Sequence, residues 1–486
     1  MAPHAASIVG AGPNGLAAAV ILARAGIQTT VYERSAHVGG GARTAELTLP
    51  GYLHDVGSAV HPLAVSSGFF RRFQLDKRVD LRTPERSYGH PLDGRPAAIA
   101  YRSLDRTAHE LGADGAAWRR LFAPLVDRAA QVAQFTGSTL VQVPRHPVAA
   151  ALFGLRALEQ GSPVWNARWR DAAAPALLTG VAAHSVQPLP SLSTAGTAMS
   201  LATAGHAGGW PIPVGGSQAI TDALVDDLLA HGGTIEAGIA IGSLAELPPS
   251  DIVLLDLTPR ALVRLAGDAL PDRYRRRLLD YRYGPGVAKV DFALSGPVPW
   301  SDPELRATPT VHLGGTRERI AASEAAVAAG RHSDDPYVLV SQPSILDDSR
   351  APAGHQVLWA YTHVPSGSTV DQTEAIIRQI ERGAPDFRDV VLASTSATAA
   401  QMQVENPNYI GGDIAMGAAT LRQLAARPTL SPAPWRTPVP GLYLCSSATA
   451  PGPGVHGLSG AYAARSALKH EFGLDALPHL GIDGGS

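Results

Sequence analysis

Between Ser7 and Gly41 the chain reads SIVGAGPNGLAAAVILARAGIQTTVYERSAHVGGG, and few folds accommodate that order of residues. The apolar pair Ile8 and Val9 runs into Gly10, Gly12 and Gly15 at GxGxxG spacing. An Ala- and Leu-rich segment follows, and a second run from Thr29 to Tyr32 ends at Glu33. Strand, glycine turn, helix and strand in that order predict a βαβ unit. One glycine makes the tight turn, one lets backbone approach a pyrophosphate, and one packs helix closely on strand. The helix N-terminus then offers unpaired N–H groups and a partial positive charge to phosphate. Glu33 stands where a carboxylate accepts hydrogen bonds from a ribose. Three glycines in six residues also occur in ordinary loops, so the motif draws its weight from the flanking strand, helix and acid. The unit predicts dinucleotide binding and leaves the dinucleotide open.

With 486 residues there is room for two or three domains, and 45% hydrophobic against 17% charged residues describes a well-cored globular chain. Lys and Arg number 40 against 42 Asp and Glu, a net charge of −2. No global basic field exists for nucleic acid, which is not an expected partner. The single cysteine, Cys445, excludes an internal disulfide framework, a CxxC redox pair and a cysteine zinc site. No basic-then-apolar leader precedes Ser7, and apolar runs such as Val148 to Leu155 fall short of the ~20 residues that span a bilayer. A cytoplasmic protein without a transmembrane segment is expected, with peripheral membrane contact left open and no indication of oligomeric state.

Further along, Tyr52 to Ala64 (YLHDVGSAVHPLA) holds a loop at Gly57 and Ser58, with His61 before Pro62. Trp118, Leu121, Phe122, Leu125, Val126, Ala129 and Val132 recur at helical spacing and predict one buried helical face. The Ala-, Leu-, Pro- and Gly-rich segment 144–207 reads as helices. At Gly208 the texture of the first unit returns: Ser217 is the expected N-cap of a helix whose apolar face holds Leu224, Val225, Leu228 and Leu229. Asp251 to Leu257 (DIVLLDL) is apolar enough for a parallel strand buried on both faces. From Tyr281 alternating segments, VAKVDFAL at 287–294, Tyr337 to Val340 and Gln356 to His363, predict an antiparallel sheet, with APAG at 351–354 as a turn and a helix from Thr373 to Arg382. Tyr361 and His363 share one strand face. They are candidates for acid, base or aromatic wall of a cavity, with a plain core row as the alternative.

Near the C-terminus GLYLC (441–445) predicts a strand, and Gly452, Gly454 and Gly457 again satisfy GxGxxG. Too little chain follows for a second mononucleotide half, so this strand is expected to complete the first sheet and the next helix to aim its N-terminus at the cofactor. The pairing of GAGPNG, Glu33 and GGGAR with LYLCSSATAPGPGVHGLSGAYAA resembles the phytoene desaturase-related flavoproteins, and WAYTHVP (359–365), ENPNYIGGDI (405–414) and ILDDSRAPAG (345–354) extend the resemblance over nearly the whole chain.

That resemblance implies an α/β fold: a Rossmann-like FAD-binding domain of the GR2 flavoprotein type, with an inserted α+β substrate domain containing an antiparallel sheet. The expected division is 1–75, 208–265 and 430–475 for FAD, 76–207 and 266–429 for substrate, and a polar tail at 476–486. It implies non-covalent FAD: pyrophosphate on Gly10, Gly12, Pro13, Asn14 and Gly15 with Arg43, ribose on Glu33, with Arg34, Gly40 and Gly41 beside them. Val455, His456 and Gly457 fall at the N1 and C2 carbonyl side of the ring, after Gly454. His61 is implied as a further contact near the ring. Many relatives carry an aspartate where Ser446 and Ser447 stand, a departure that weakens but does not abolish a phosphate or ribityl contact. Cys445, in mid-strand, is expected to be an inert buried thiol.

The expected function is an FAD-dependent dehydrogenase or desaturase that takes a hydride from a largely apolar small molecule. The alternatives are a flavin oxidase or monooxygenase using O2, and a flavin-binding interaction protein without turnover. The chain has neither GxSxG nor HExxH.

Overall fold

The computed structural model describes residues 4–482. Two sheets organise them. The first has five parallel strands in the order Leu442–Leu444, Ile252–Leu255, Ala5–Val9, Gln28–Glu33 and Thr234–Ala237. Ala5–Val9 lies central, so Ile8 is fully buried and the run needs no polar face. Helix Pro13–Arg24 is buried along ten of its twelve residues, between this sheet, helix Gln218–Ala230 and helix Leu458–Phe472. Small residues make that possible. A Cβ on Gly460 would stand 1.8 Å from the Asn14 carbonyl, so the two helices cross only through a glycine.

The second sheet has seven strands in the order Val391–Ala397, Gly286–Leu294, Gln356–Val364, Val338–Ser341, Thr310–Leu313, Arg86–Leu92 and Arg95–Tyr101. All seven strands come from the two segments that flank residues 208–265, paired antiparallel except where Thr310–Leu313 joins Arg86–Leu92 in parallel. All nine residues of Gly286–Leu294 are buried. Helix Thr373–Glu381 buries Ile376, Ile377 and Ile380 in the core beside Val290 and Phe292.

Two local expectations change. The single helical face from Trp118 to Val132 is two helices, Gly115–Val126 and Ala129–Thr136. Pro124 removes a backbone donor in the last turn of the first, which stops two residues later. Ser217 does not cap its helix, because its hydroxyl is spent elsewhere. The tail expected from residue 476 is described only to Ile482, and its last four residues lie outside the described ones.

Candidate active site

One cavity of about 1510 Å³ runs from the C-terminal ends of the parallel strands to the face of the seven-stranded sheet. Ligands of open parallel sheets bind at such strand ends. The outer part is a strip of backbone. Gly10 N–H donates to Tyr32 O at 2.8 Å and Gly39 N–H to Ala11 O at 2.8 Å, which folds the GGG segment over the first glycine loop. Glu33 Oε2 accepts from Ala11 N–H and Oε1 from Ser35 N–H, each at 2.9 Å, so the carboxylate is held at the end of its strand. Arg43 pairs with Glu405.

Asp256, at the end of Ile252–Leu255, was not singled out by sequence, yet it lies beneath the loop. Its Oδ2 accepts from Gly15 N–H at 3.0 Å, and a Cβ on Gly12 would stand 2.6 Å from that oxygen. Burial, reinforced by Glu33, pushes its carboxyl up to about 7. The available signal was an acid closing a buried parallel strand.

Helices Pro13–Arg24 and Leu458–Phe472 both begin at a glycine that brings no capping side chain, with no acid in the first turn. Asp256 takes Gly15 N–H and His456 takes Leu458 N–H, and the remaining first-turn donors are open to an anion. His456 Nδ1 accepts from Leu458 N–H at 3.0 Å, which makes Nε2 the protonated nitrogen, 3.1 Å from Gly452 O. Its imidazole thus shapes the loop. Asn14 reaches Ser447 at 3.4 Å and keeps a buried, unpartnered Oδ1. Ser447 lines the cavity, whereas Ser446 is buried and donates to Leu257 O at 2.6 Å. Cys445 is buried and free.

The inner part of the cavity is mostly apolar, walled by Val132, Phe153, Trp210, Leu339, Trp359 and Met402 among others. His61 lies in the wall. Ser217 donates to Ser58 O and so receives the His61 Nε2–H at 2.8 Å, leaving Nδ1 a bare acceptor. Burial lowers the imidazole to about 4, so it is neutral at pH 7. Tyr361 is a wall residue whose hydroxyl burial pushes up, so the phenol stays protonated and can donate or accept a hydrogen bond. Lys289 also lines the cavity and pairs with Asp291 on the same strand face; burial lowers the ammonium and raises the carboxyl to about 6. Two charges, i and i+2 in an otherwise buried strand, were the sequence signal for this pair.

Of the residues expected at a site, Gly10, Gly12, Pro13, Asn14, Glu33, Arg34, Gly40, Gly41, Arg43, His61, Tyr361, Ser447, Gly454, Val455 and His456 line this one cavity. Gly15, Ser446 and Gly457 lie just behind its wall. His363 does not reach it: its Nδ1 is 2.7 Å from Glu324 Oε1, both side chains buried. Among the described residues no cluster of His, Cys, Asp and Glu is set to hold a metal.

A model of the NAD(P)-binding Rossmann-like domain matches residues 8–73. The chain is 25% identical over 562 aligned positions to pyridine nucleotide-disulfide oxidoreductase domain-containing protein 2 of Rattus norvegicus, covering 94% of this chain and 92% of that protein. It is 29% identical over 128 positions, a quarter of each chain, to 4,4'-diapolycopen-4-al dehydrogenase of Metabacillus indicus. In fold it is similar to wild-type putrescine oxidase bound to putrescine, with a TM-score of 0.59 at 18% identity over 96% of this chain and 98% of that one. The glycine strip, the open first-turn donors and the orphaned Asn14 oxygen fit a flavin dinucleotide, and in sequence and fold the chain is similar to oxidoreductases built on a Rossmann-like dinucleotide-binding domain.

Proposed function

We propose that the chain is a dehydrogenase or desaturase whose FAD lies along the glycine strip and whose substrate, a largely apolar small molecule, enters the inner chamber. The observation that carries this is the continuity of the cavity: the strip from Gly10 to Arg43 opens without a wall into a chamber lined mostly by carbon. In this reading Gly10, Gly12, Pro13, Asn14 and Arg43 hold the pyrophosphate, Glu33 the adenosine ribose, and Val455 and His456 the far end. Bound FAD supplies a two-electron acceptor for a hydride. The chain's own groups bind, orient and exclude water. Trp359 keeps an unpartnered indole N–H in the wall, Tyr361 a hydroxyl, and His61 a neutral acceptor. Lys289, in the chamber wall, donates to the Asp291 carboxylate behind it, so its ammonium is tied down.

A chamber lined mostly by carbon, with His61 and His184 neutral in its wall, suits C–H oxidation better than acid–base hydrolysis. The test is anaerobic mixing of the FAD-loaded protein with a panel of unsaturated and saturated apolar substrates, followed by admission of air. Bleaching of the flavin absorbance that returns slowly in air supports the proposal. Fast return with peroxide or hydroxylated product would instead identify an oxidase or monooxygenase, and a yellow protein that no substrate bleaches would identify a binding protein.

A further inference from the structure

The outer end of the chamber carries a surface that the fold leaves uncovered. On helix Pro147–Gln160, Val148, Ala151, Leu155 and Leu158 share one face and are all exposed, Val148 by 62%. The preceding loop adds Val141 and Val143, the latter 91% exposed. Gln142 donates to Pro432 O at 3.5 Å, two residues along the chain from the exposed Leu430. Leu140, Gly154 and Leu158 are both exposed and cavity-lining, so the chamber opens through this patch.

The charge around it is one-sided. From Arg128 to Leu158 there is no Asp or Glu. Tyr462 donates to Gly137 O at 2.8 Å, and Arg72, Arg145 and Arg465 all act on its hydroxyl electrostatically, so three exposed guanidinium groups gather at this edge. Asp475, which feels Arg465, is paired with Lys469 at 2.7 Å. The overall charge of −2 hides this local field.

We infer that this face docks on an anionic lipid surface, with the aliphatic side chains in the headgroup boundary, the arginines on lipid phosphates, and the chamber open toward hydrocarbon. A protein partner or second copy would seal the opening, whereas lipid leaves it usable. The docking rests on the surface alone; delivery of substrate from the bilayer rests on the chamber reading above.

The test is flotation of FAD-loaded protein with phosphatidylcholine vesicles, with and without phosphatidylglycerol. Wild type is expected to float with the anionic vesicles at low salt and to stay behind with pure phosphatidylcholine. Val148→Asp with Leu155→Asp lowers the bound fraction by roughly tenfold or more, and Arg72→Glu with Arg145→Glu does the same. Flavin absorbance and melting temperature, read on the same samples, stay at wild-type values because these residues are exposed. Absence of flotation, variants that float as well as wild type, or light scattering in which the aspartates halve the wild-type mass would each overturn the inference. Colourless protein that still floats counts against the flavin reading and leaves the docking standing.

Discussion

The glycine strip is walled by backbone, and the inner chamber by side chains from strands and helices remote in sequence. In the strip, a Cβ on Gly12 meets the Asp256 carboxylate at 2.6 Å and one on Gly41 meets the Tyr409 hydroxyl at 2.2 Å. No atom can be added there. In the chamber, Lys289 and Asp291 are both buried and answer each other, so volume can change while charge pairing cannot. A site built from backbone is sensitive to size, and one built from side chains to the loss of a partner.

Five substitutions probe that contrast, and the largest effect is expected in the strip. Gly12→Val should leave no retained flavin after gel filtration, because the valine fills the cradle from both sides; normal flavin content would sink the assignment. Next, Lys289→Met leaves Asp291 buried without its partner and should cost about 3–5 kcal/mol of stability in denaturant titration. Adding Asp291→Leu should recover much of that loss, and a double variant no better than the single would show that pairing is not what matters. Glu33→Ala should weaken FAD binding by about 1–3 kcal/mol in a fluorescence titration, with chamber chemistry unchanged once FAD saturates.

The remaining effect is a slope with pH. Because burial raises the Asp256 carboxyl to about 7, the folded protein holds a proton that the unfolded chain has released above ordinary carboxylate values. Its contribution to stability is therefore full at low pH, falls as pH rises from about 4 to about 7, and is flat beyond. Asp256→Asn should melt with wild type at acid pH and above it in alkaline buffer. Taking the difference between the two proteins cancels the opposite slope of the buried neutral histidines, such as His61 and His184, which lose stability as pH falls below about 6.5. Parallel melting curves would remove Asp256 from the list of perturbed groups.

The strip was largely legible in the sequence because its constraints are local: Gly10, Gly12, Gly15 and Glu33 act within one βαβ unit, and the DIVLLDL strand announces its burial by composition. The second cluster was readable as a sheet-closing strand because too little chain follows it for another nucleotide fold. What escaped was whatever depends on packing. Asp256 read as the end of an apolar strand, and only the approach of Gly12 and Gly15 makes it part of the loop. Tyr361 and His363 share a strand face, yet the neighbour of His363 is Glu324, from a helix whose position no periodicity reveals. Pro124 divides a helix that the apolar spacing alone runs together.

The parallel sheet is closed by Leu442–Leu444, and the loop that follows it supplies Ser447, Val455 and His456 to the cavity wall. During synthesis the glycine loop emerges first, and the opposite half of its grip emerges only after more than four hundred further residues have been translated. In the proposed reading cofactor capture comes late in maturation, and chains stopped before Ser447 are expected to retain no flavin.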